Sequence, residues 1–157
     1  MHRERVSENV FWFQSELYAQ VTAGVIAGPQ WAVVIDTLAV PEETLAIREF
    51  IEHELGVQVR YVINTHYHAD HTWGNCFFPG ATVIGHAKCR ELLIEHGIPS
   101  LEGARKQNPN LRQVKIIPPH LTFDSGELTM RVGKKNLVFS QSFGHSEDGI
   151  SVLVEED

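Results

Sequence analysis

Cysteine is scarce in this 157-residue sequence: only Cys76 and Cys89 occur. Two cysteines are too few for a disulfide framework, so we expect both to be free thiols. Cys76 directly follows a histidine-rich stretch, and a role as a soft metal ligand is the alternative for that residue. Basic residues are also in the minority, with 13 Lys and Arg against 20 Asp and Glu and a formal net charge of -7. This balance argues against a nucleic-acid partner, which requires clustered positive charge.

Long apolar runs are absent as well. No stretch approaches the roughly 18 apolar residues of a membrane-spanning helix. The first ten residues, MHRERVSENV, are charged and lack the apolar segment of a signal peptide. The sequence therefore predicts a cytoplasmic protein without a membrane partner.

The composition that remains is that of a globular protein, with 43% hydrophobic and 21% charged residues. A chain of this length buries roughly two thirds of the surface that it exposes when unfolded. No internal repeat, low-complexity tract or linker divides the sequence. We expect residues 1–157 to form a single domain.

The order of predicted elements indicates an α+β fold. Residues 10–16 and 18–27 predict two antiparallel strands, and WAVVIDT at 31–37 predicts a strand buried on both faces that ends near Asp36. Pro41, followed by two glutamates, begins an amphipathic helix that ends at Gly56. The later predicted elements are strands at 57–64 and 81–85, a helix at 86–96 capped by Gly97, a looser polar segment to 112, and strands at 121–123, 127–132, 136–143 and 150–156.

The stretch NTHYHADHTWGN, residues 64–75, places three of the nine histidines and one aspartate within six positions. In an extended chain, side chains two positions apart project the same way, so His66 and His68 can converge on one ion. A turn at Ala69 would direct Asp70 and His71 toward a neighbouring ion. Imidazole nitrogens suit zinc and other first-row metals, and a carboxylate helps to hold a second cation. The stretch therefore predicts a metal site at the end of a strand.

Five further histidines have no neighbouring residue at the spacing of metal ligands. We expect structural or surface roles for His2, His53, His86, His96 and His120. Trp73, beside the cluster, is expected to form a wall of the site or part of the core.

Residues 66–71 read H-x-H-x-D-H, which resembles the signature of the metallo-β-lactamase superfamily. The likeness extends to VVIDT around Asp36, to YVINTH before the signature and to FGHSEDG around His145. The resemblance implies an αββα sandwich, of which this chain supplies mainly the N-terminal half. It also implies that His66, His68 and His145 bind a first metal ion.

The same resemblance implies that Asp70 and His71 contribute to a second ion, and Asp70 could also orient the catalytic water. Three nitrogen ligands and an open position are typical of a catalytic zinc ion, whose bound water supplies hydroxide near pH 7. Asp36 and Thr65 are candidates for supporting the ligands by hydrogen bonds. The alternative for Asp36 is that it only accepts a loop amide.

Relatives in this superfamily continue into a strand with a metal-bridging aspartate and a later histidine of the second site. Neither is present here, so we expect the second ion to bind weakly and the domain to be incomplete at its C terminus. An uncovered sheet edge and apolar face would follow, covered by a missing C-terminal half or by a homo-oligomer.

The leading functional hypothesis is a zinc-dependent hydrolase that uses metal-bound hydroxide on a small-molecule ester, thioester, lactone or amide-like bond. Iron or manganese are alternatives to zinc. A mononuclear iron persulfide dioxygenase of the same superfamily is the second hypothesis, because its first-site ligands are shared. The third is a truncated chain that binds metal without catalysis.

Overall fold

Two stacked β-sheets form the centre of the protein, which was obtained as a computed structural model and is described over residues 1–156. The larger sheet has the strand order β1 (His2–Ser7), β2 (Val10–Gln14), β3 (Thr22–Ala27), β4 (Trp31–Ile35), β5 (Gln58–Ile63), β6 (Thr82–His86) and β7 (Leu121–Phe123). Its strands are antiparallel from β1 to β4 and parallel from β4 to β7. The smaller, antiparallel sheet has the order β10 (Ile150–Glu156), β9 (Lys135–Gln141) and β8 (Glu127–Val132).

The helices lie in the connections between the parallel strands. They are α1 (Pro41–Glu49) with a π-helical turn at Phe50–Glu54, α2 (Ala69–Thr72) with a 3-10 turn at Trp73–Phe77, α3 (Ala87–Leu92) with a π-helical turn at Leu93–Gly97, α4 (Ile98–Gln107), and a 3-10 turn at Pro109–Gln113. None of the helices within residues 1–156 is long and apolar enough to cross a membrane.

The larger sheet has an apolar core on each face, as expected if the strand predicted at residues 31–37, which is β4, is buried on both sides. Val33 of β4 packs with Phe139 and Ile150 of the smaller sheet, whereas its neighbour Val34 packs with Ile47 of α1. Successive side chains of a strand point to opposite faces, so an unbroken apolar run serves both cores. The prediction that this strand is buried on both sides is confirmed.

The parallel arrangement brings the carboxyl ends of β4, β5 and β6 to one edge of the sheet. The amide of Asp36 donates to the carbonyl of Ile63 at 2.8 Å, and the amide of Asn64 donates to that of Ile84 at 2.9 Å. In open α/β sheets, ligand sites form at this edge. Asp36 and the histidine-rich loop are therefore brought together by chain topology.

Three parts of the predicted secondary structure are wrong. The strand predicted at residues 18–27 begins only at Thr22. The first strand, β1, was not predicted because its charged side chains are all exposed. The helix does not end at Gly97, which has a right-handed helical φ of -65° and leads into α4. Pro99 is tolerated because it lies in the first turn of α4, and buried Leu101 anchors that helix. The looser polar segment predicted up to residue 112 is consequently helical over most of its length.

Gly74 should not tolerate a side chain. A Cβ atom at this position would overlap the carbonyl oxygen of Thr37 and lie 2.6 Å from Thr44 Oγ1, because the turn after α2 packs directly on α1. Overpacking of this kind costs about 1–3 kcal/mol or more. We expect Gly74→Ala to lower the free energy of unfolding by at least that amount in a urea titration. Gly103→Ala is the matched control: it has open space around it in α4, and should stabilise the protein by about 0.5–1 kcal/mol.

The inner face of the larger sheet is covered only in part. A cleft of about 280 Å³ lies between β2–β4 and the edge strand β10, with Phe11, Ile35, Val152 and Val154 among its lining residues. Coverage of this cleft by further polypeptide or a second copy of the chain stays a prediction.

Candidate metal centre

The histidine-rich loop follows β5 and is tied to the smaller sheet at its base. The amide of Ile150, at the start of β10, donates to the carbonyl of Thr65 at 2.9 Å. The loop that joins β9 to β10 carries His145, and this hydrogen bond holds it against the loop that carries His66 and His68. The site is therefore built from both sheets.

Three histidines converge at this junction. The ligand nitrogens of His66, His68 and His145 all lie within 4.8 Å of one another, and His68 Nδ1 is 3.1 Å from His145 Nε2. Two nitrogens on one tetrahedral zinc ion are separated by about 3.3 Å, given Zn–N bonds of 2.0–2.1 Å. His66 Nε2 is buried and has no hydrogen-bond partner. An unpartnered buried nitrogen that faces two further imidazoles fits a metal ligand.

The Asp36 carboxylate lies beneath the histidine-rich loop and accepts three hydrogen bonds from it. Its carboxylate accepts the Thr65 amide at 2.8 Å, the Thr65 hydroxyl at 2.6 Å and the His71 Nδ1–H at 2.7 Å. Asp36 thus accepts more than a loop amide, because the Thr65 hydroxyl and His71 also donate to it. Its φ of 59° lies in the left-handed region, which Asp tolerates better than most residues.

These hydrogen bonds define the tautomers of two histidines. A carboxylate only accepts, so the Thr65 hydroxyl donates to Asp36 and its lone pair accepts Nδ1–H of His66 at 2.9 Å. Nε2 of His66 is then left unprotonated. The Nδ1–H of His71 is likewise used by Asp36, which leaves its Nε2 free and 3.7 Å from Asp70 Oδ1. Fixing one ring nitrogen so that the other can bind metal is the usual role of such partners.

The predicted second site is less complete than the first. A second cluster within residues 1–156 contains Asp36, His66 and His71, but both Asp36 oxygens already accept hydrogen bonds. Asp70 belongs to neither three-residue cluster in the described part of the chain. Asp70 and His71 therefore stand as a pair without a third protein ligand.

Burial favours the neutral form of two of the first-site histidines, His66 and His68, in the metal-free protein. It lowers the pKa of His66 to about 4, with the neighbouring His71 adding to the effect. Burial and then His145 lower the pKa of His68. For His71 burial alone would lower the pKa, but the hydrogen bond and the charge of Asp36 reverse that effect and raise it. Neutral imidazole is the form that binds metal.

The low pKa of His66 predicts a loss of stability in acid. In the unfolded chain His66 takes up a proton below about pH 6.5, whereas the folded protein resists protonation until about pH 4. Its contribution is present above pH 6.5 and is lost as the pH falls toward 4. We expect urea titrations of metal-free protein to show a shallower pH dependence for His66→Gln than for wild type. A surface substitution, His53→Gln, should leave the wild-type pH profile unchanged.

Three polar residues that support the site were missed by the sequence analysis. Asn64 and Asn75, at the two ends of the histidine-rich stretch, are buried and exchange hydrogen bonds of 3.0 and 2.8 Å through their side-chain amides. Asp148 is fully buried; one oxygen accepts the Ser146 hydroxyl at 2.6 Å, and the carboxylate also lies against the Cys89 thiol. The sequence offered a signal for the two asparagines, because they are the first and last residues of the histidine-rich stretch. It offered no local pattern that indicates a buried Asp148.

The other candidates have structural roles. His86 Nδ1 accepts the Lys88 amide at the start of α3, and His120 Nδ1 accepts the Val83 amide, both at 3.0 Å. Trp73 is buried in the core under α4. Neither cysteine belongs to a ligand cluster within residues 1–156, and burial raises the pKa of both thiols.

Two stacked sheets with a histidine cluster at their shared edge define an α+β protein with a candidate metal centre. The profile of the metallo-beta-lactamase superfamily matches residues 18–157, and the chain belongs to that family. The family resemblance and the fold class that were predicted from the sequence are confirmed.

Solved structures agree on the fold. A metallo-beta-lactamase from Pontibacter korlensis is 21% identical with a TM-score of 0.73, and the match covers 96% of this chain and 65% of that protein. A subclass B3 enzyme from a soil metagenome library is 23% identical with a TM-score of 0.70, over 100% of this chain and 58% of its own. A metallo-beta-lactamase from Pseudomonas aeruginosa in its mono-zinc form is 16% identical with a TM-score of 0.68, and the match covers 96% of this chain and 63% of that protein. This chain therefore spans less than two thirds of the length of these relatives.

Proposed function

We propose that this chain carries the first metal site of a metal-dependent hydrolase acting on an ester, thioester, lactone or amide-like bond of a small molecule. The observation that carries the proposal is the unpartnered, buried Nε2 of His66, which faces His68 and His145. A zinc ion with three nitrogen ligands and an open position supplies a water of lowered pKa, and thus a nucleophile at neutral pH.

The protein residues divide the remaining work. Asp36 fixes the rings of His71 directly and of His66 through Thr65, so neither ring must reorient when an ion binds. Asp70 has a partly exposed carboxylate beside His71, where it can accept a proton from water and orient it toward a carbonyl. Support for zinc comes from the donor set, because the converging cluster is three imidazoles without a carboxylate.

We also propose that residues 1–157 act as one domain that further polypeptide or a second copy of the chain completes. The open apolar cleft beside β10 supports this, since exposed sheet edges and apolar faces are usually covered. The second site offers only Asp70 and His71, so further polypeptide would be needed to complete it. A second ion held by these two residues alone should bind more weakly than the first.

Metal analysis combined with turnover tests the proposed function. We expect protein purified without chelator to contain zinc, and the zinc-loaded protein to hydrolyse a chromogenic ester or thioester. Asp70→Asn should lower kcat by about 100-fold or more if Asp70 handles the proton. Iron in the purified protein with oxygen uptake on a persulfide would favour the dioxygenase instead. Bound zinc without turnover of ester, thioester or lactone would indicate a chain that has no catalysis.

A further inference from the structure

A cavity of about 540 Å³ opens beside the candidate metal centre, and two of the converging histidines form part of its wall. Its lining residues are Tyr67, His68, Leu92, His96, Phe143, Gly144, His145, Ser146 and Glu147. A group bound to an ion at His68 and His145 would extend into this space. The volume lies within the range that small-molecule sites occupy.

Aromatic and aliphatic side chains form the walls of this cavity. The Phe143 side chain is 61% exposed, so its ring is open to a bound ligand. The Tyr67 ring lies 4.6 Å from the ring of His68 and 6.2 Å from that of His96. Leu92 completes an apolar surface on the side of α3. An exposed apolar surface beside a polar site is typical of a substrate contact.

Positive charge is missing from the same lining. No lysine or arginine lines the cavity among residues 1–156, and its one charged lining residue is Glu147. The closest cation to Glu147 is Lys88, which is 3.9 Å from it and 3.4 Å from Glu91. Lys88 is therefore already paired with carboxylates. An anionic group placed in the cavity would find no free cation beyond the metal itself.

We propose that this cavity binds the acyl arm of the substrate and selects arms that are neutral and apolar over arms that end in a carboxylate. The inference rests on the proposed hydrolase function and names its substrate class. Phe143, Tyr67 and Leu92 contact the arm and determine specificity, while an anionic terminus would give up its hydration without meeting a lysine or arginine in the lining.

Binding of two matched amides tests the selection without turnover. Hexanamide and the monoamide of adipic acid share the same head group and six-carbon arm and differ in a terminal carboxylate. In ligand-observed NMR titrations of metal-free protein, in which the carboxylate cannot coordinate zinc, we expect hexanamide to bind about tenfold more tightly. Phe143→Ala should remove most of that affinity, and Phe143→Lys should strengthen binding of the carboxylate arm. Leu153→Ala is the matched control, since this side chain is 57% exposed on a strand outside the cavity.

Equal affinity for the two amides, no measurable binding of either, or unchanged affinity in Phe143→Ala would overturn the inference. The comparison in wild-type protein decides the matter even if a variant fails to fold. Turnover of p-nitrophenyl hexanoate against mono-p-nitrophenyl adipate separates the two proposals. Zinc-dependent hydrolysis of both esters at equal kcat/KM would contradict the selection alone. Hydrolysis of neither, with the binding preference intact, would contradict the proposed function alone.

Discussion

Replacing His66 with alanine should lower the affinity of the tightest zinc site of this protein by more than about 100-fold. Loss of a residue that only supports a ligand by a hydrogen bond lowers metal affinity by about 10- to 100-fold, so a larger loss indicates a direct ligand. The reason is geometric: His66 Nε2 is buried without a partner, and its Nδ1 is used by Thr65. The variant keeps only His68 and His145, and two imidazoles do not make a catalytic zinc site. Competition with a chromophoric chelator measures the change.

His53→Ala is the control for this experiment, because it removes an exposed imidazole that belongs to neither cluster within residues 1–156. Its zinc affinity should equal that of wild type. An unchanged affinity in His66→Ala would show that the ion is held elsewhere. Circular dichroism of the metal-free variant distinguishes loss of a ligand from loss of the fold.

Asp36→Ala should destabilise the metal-free protein by about 3–5 kcal/mol, as expected when one partner of a buried charged network is removed. The substitution leaves the Thr65 amide, the Thr65 hydroxyl and the His71 Nδ1–H without their acceptor. It also places alanine at a backbone φ of 59°, a left-handed conformation that alanine tolerates less well than aspartate does. Urea-induced unfolding gives the difference directly.

Asp36→Asn is the matched variant for the second experiment. Asparagine tolerates the same backbone conformation and keeps one oxygen acceptor, so we expect roughly half of the loss seen with alanine. Equal stability of wild type and Asp36→Ala would contradict the assignment of Asp36 as the acceptor for Thr65 and His71.

Most of the fold was predictable from local pattern. The unbroken run at Trp31–Ile35 indicated a strand covered on both faces, and Pro41 with its acidic neighbours indicated where α1 begins. The predictions failed where tertiary contacts overrode local preference. Gly97 remains helical because Leu101, farther along in α4, is buried in the core, and β1 is a strand through pairing with β2 rather than through burial.

The candidate site was readable for a different reason: its ligand pattern is dense in sequence. His66 and His68 are two positions apart, and their spacing alone indicates a shared ion. The convergence of His145, the buried Asp148 and the cavity wall at Phe143 depend on how the smaller sheet packs against the larger one. No local pattern encodes that packing. Only the family resemblance pointed to His145.

The position of His145 has a consequence for chain entropy. His68 and His145 are 77 residues apart in sequence, and their loops belong to different sheets. An ion that binds both would act as a reversible crosslink, closing a long loop much as a disulfide does. For a disulfide the loop-entropy relation assigns about 4.5 kcal/mol to a loop of this length. Both cysteines are free thiols, so no disulfide links the two sheets. A bound metal ion would provide such a link, and we expect the two loops to be less mobile in the metal-bound protein.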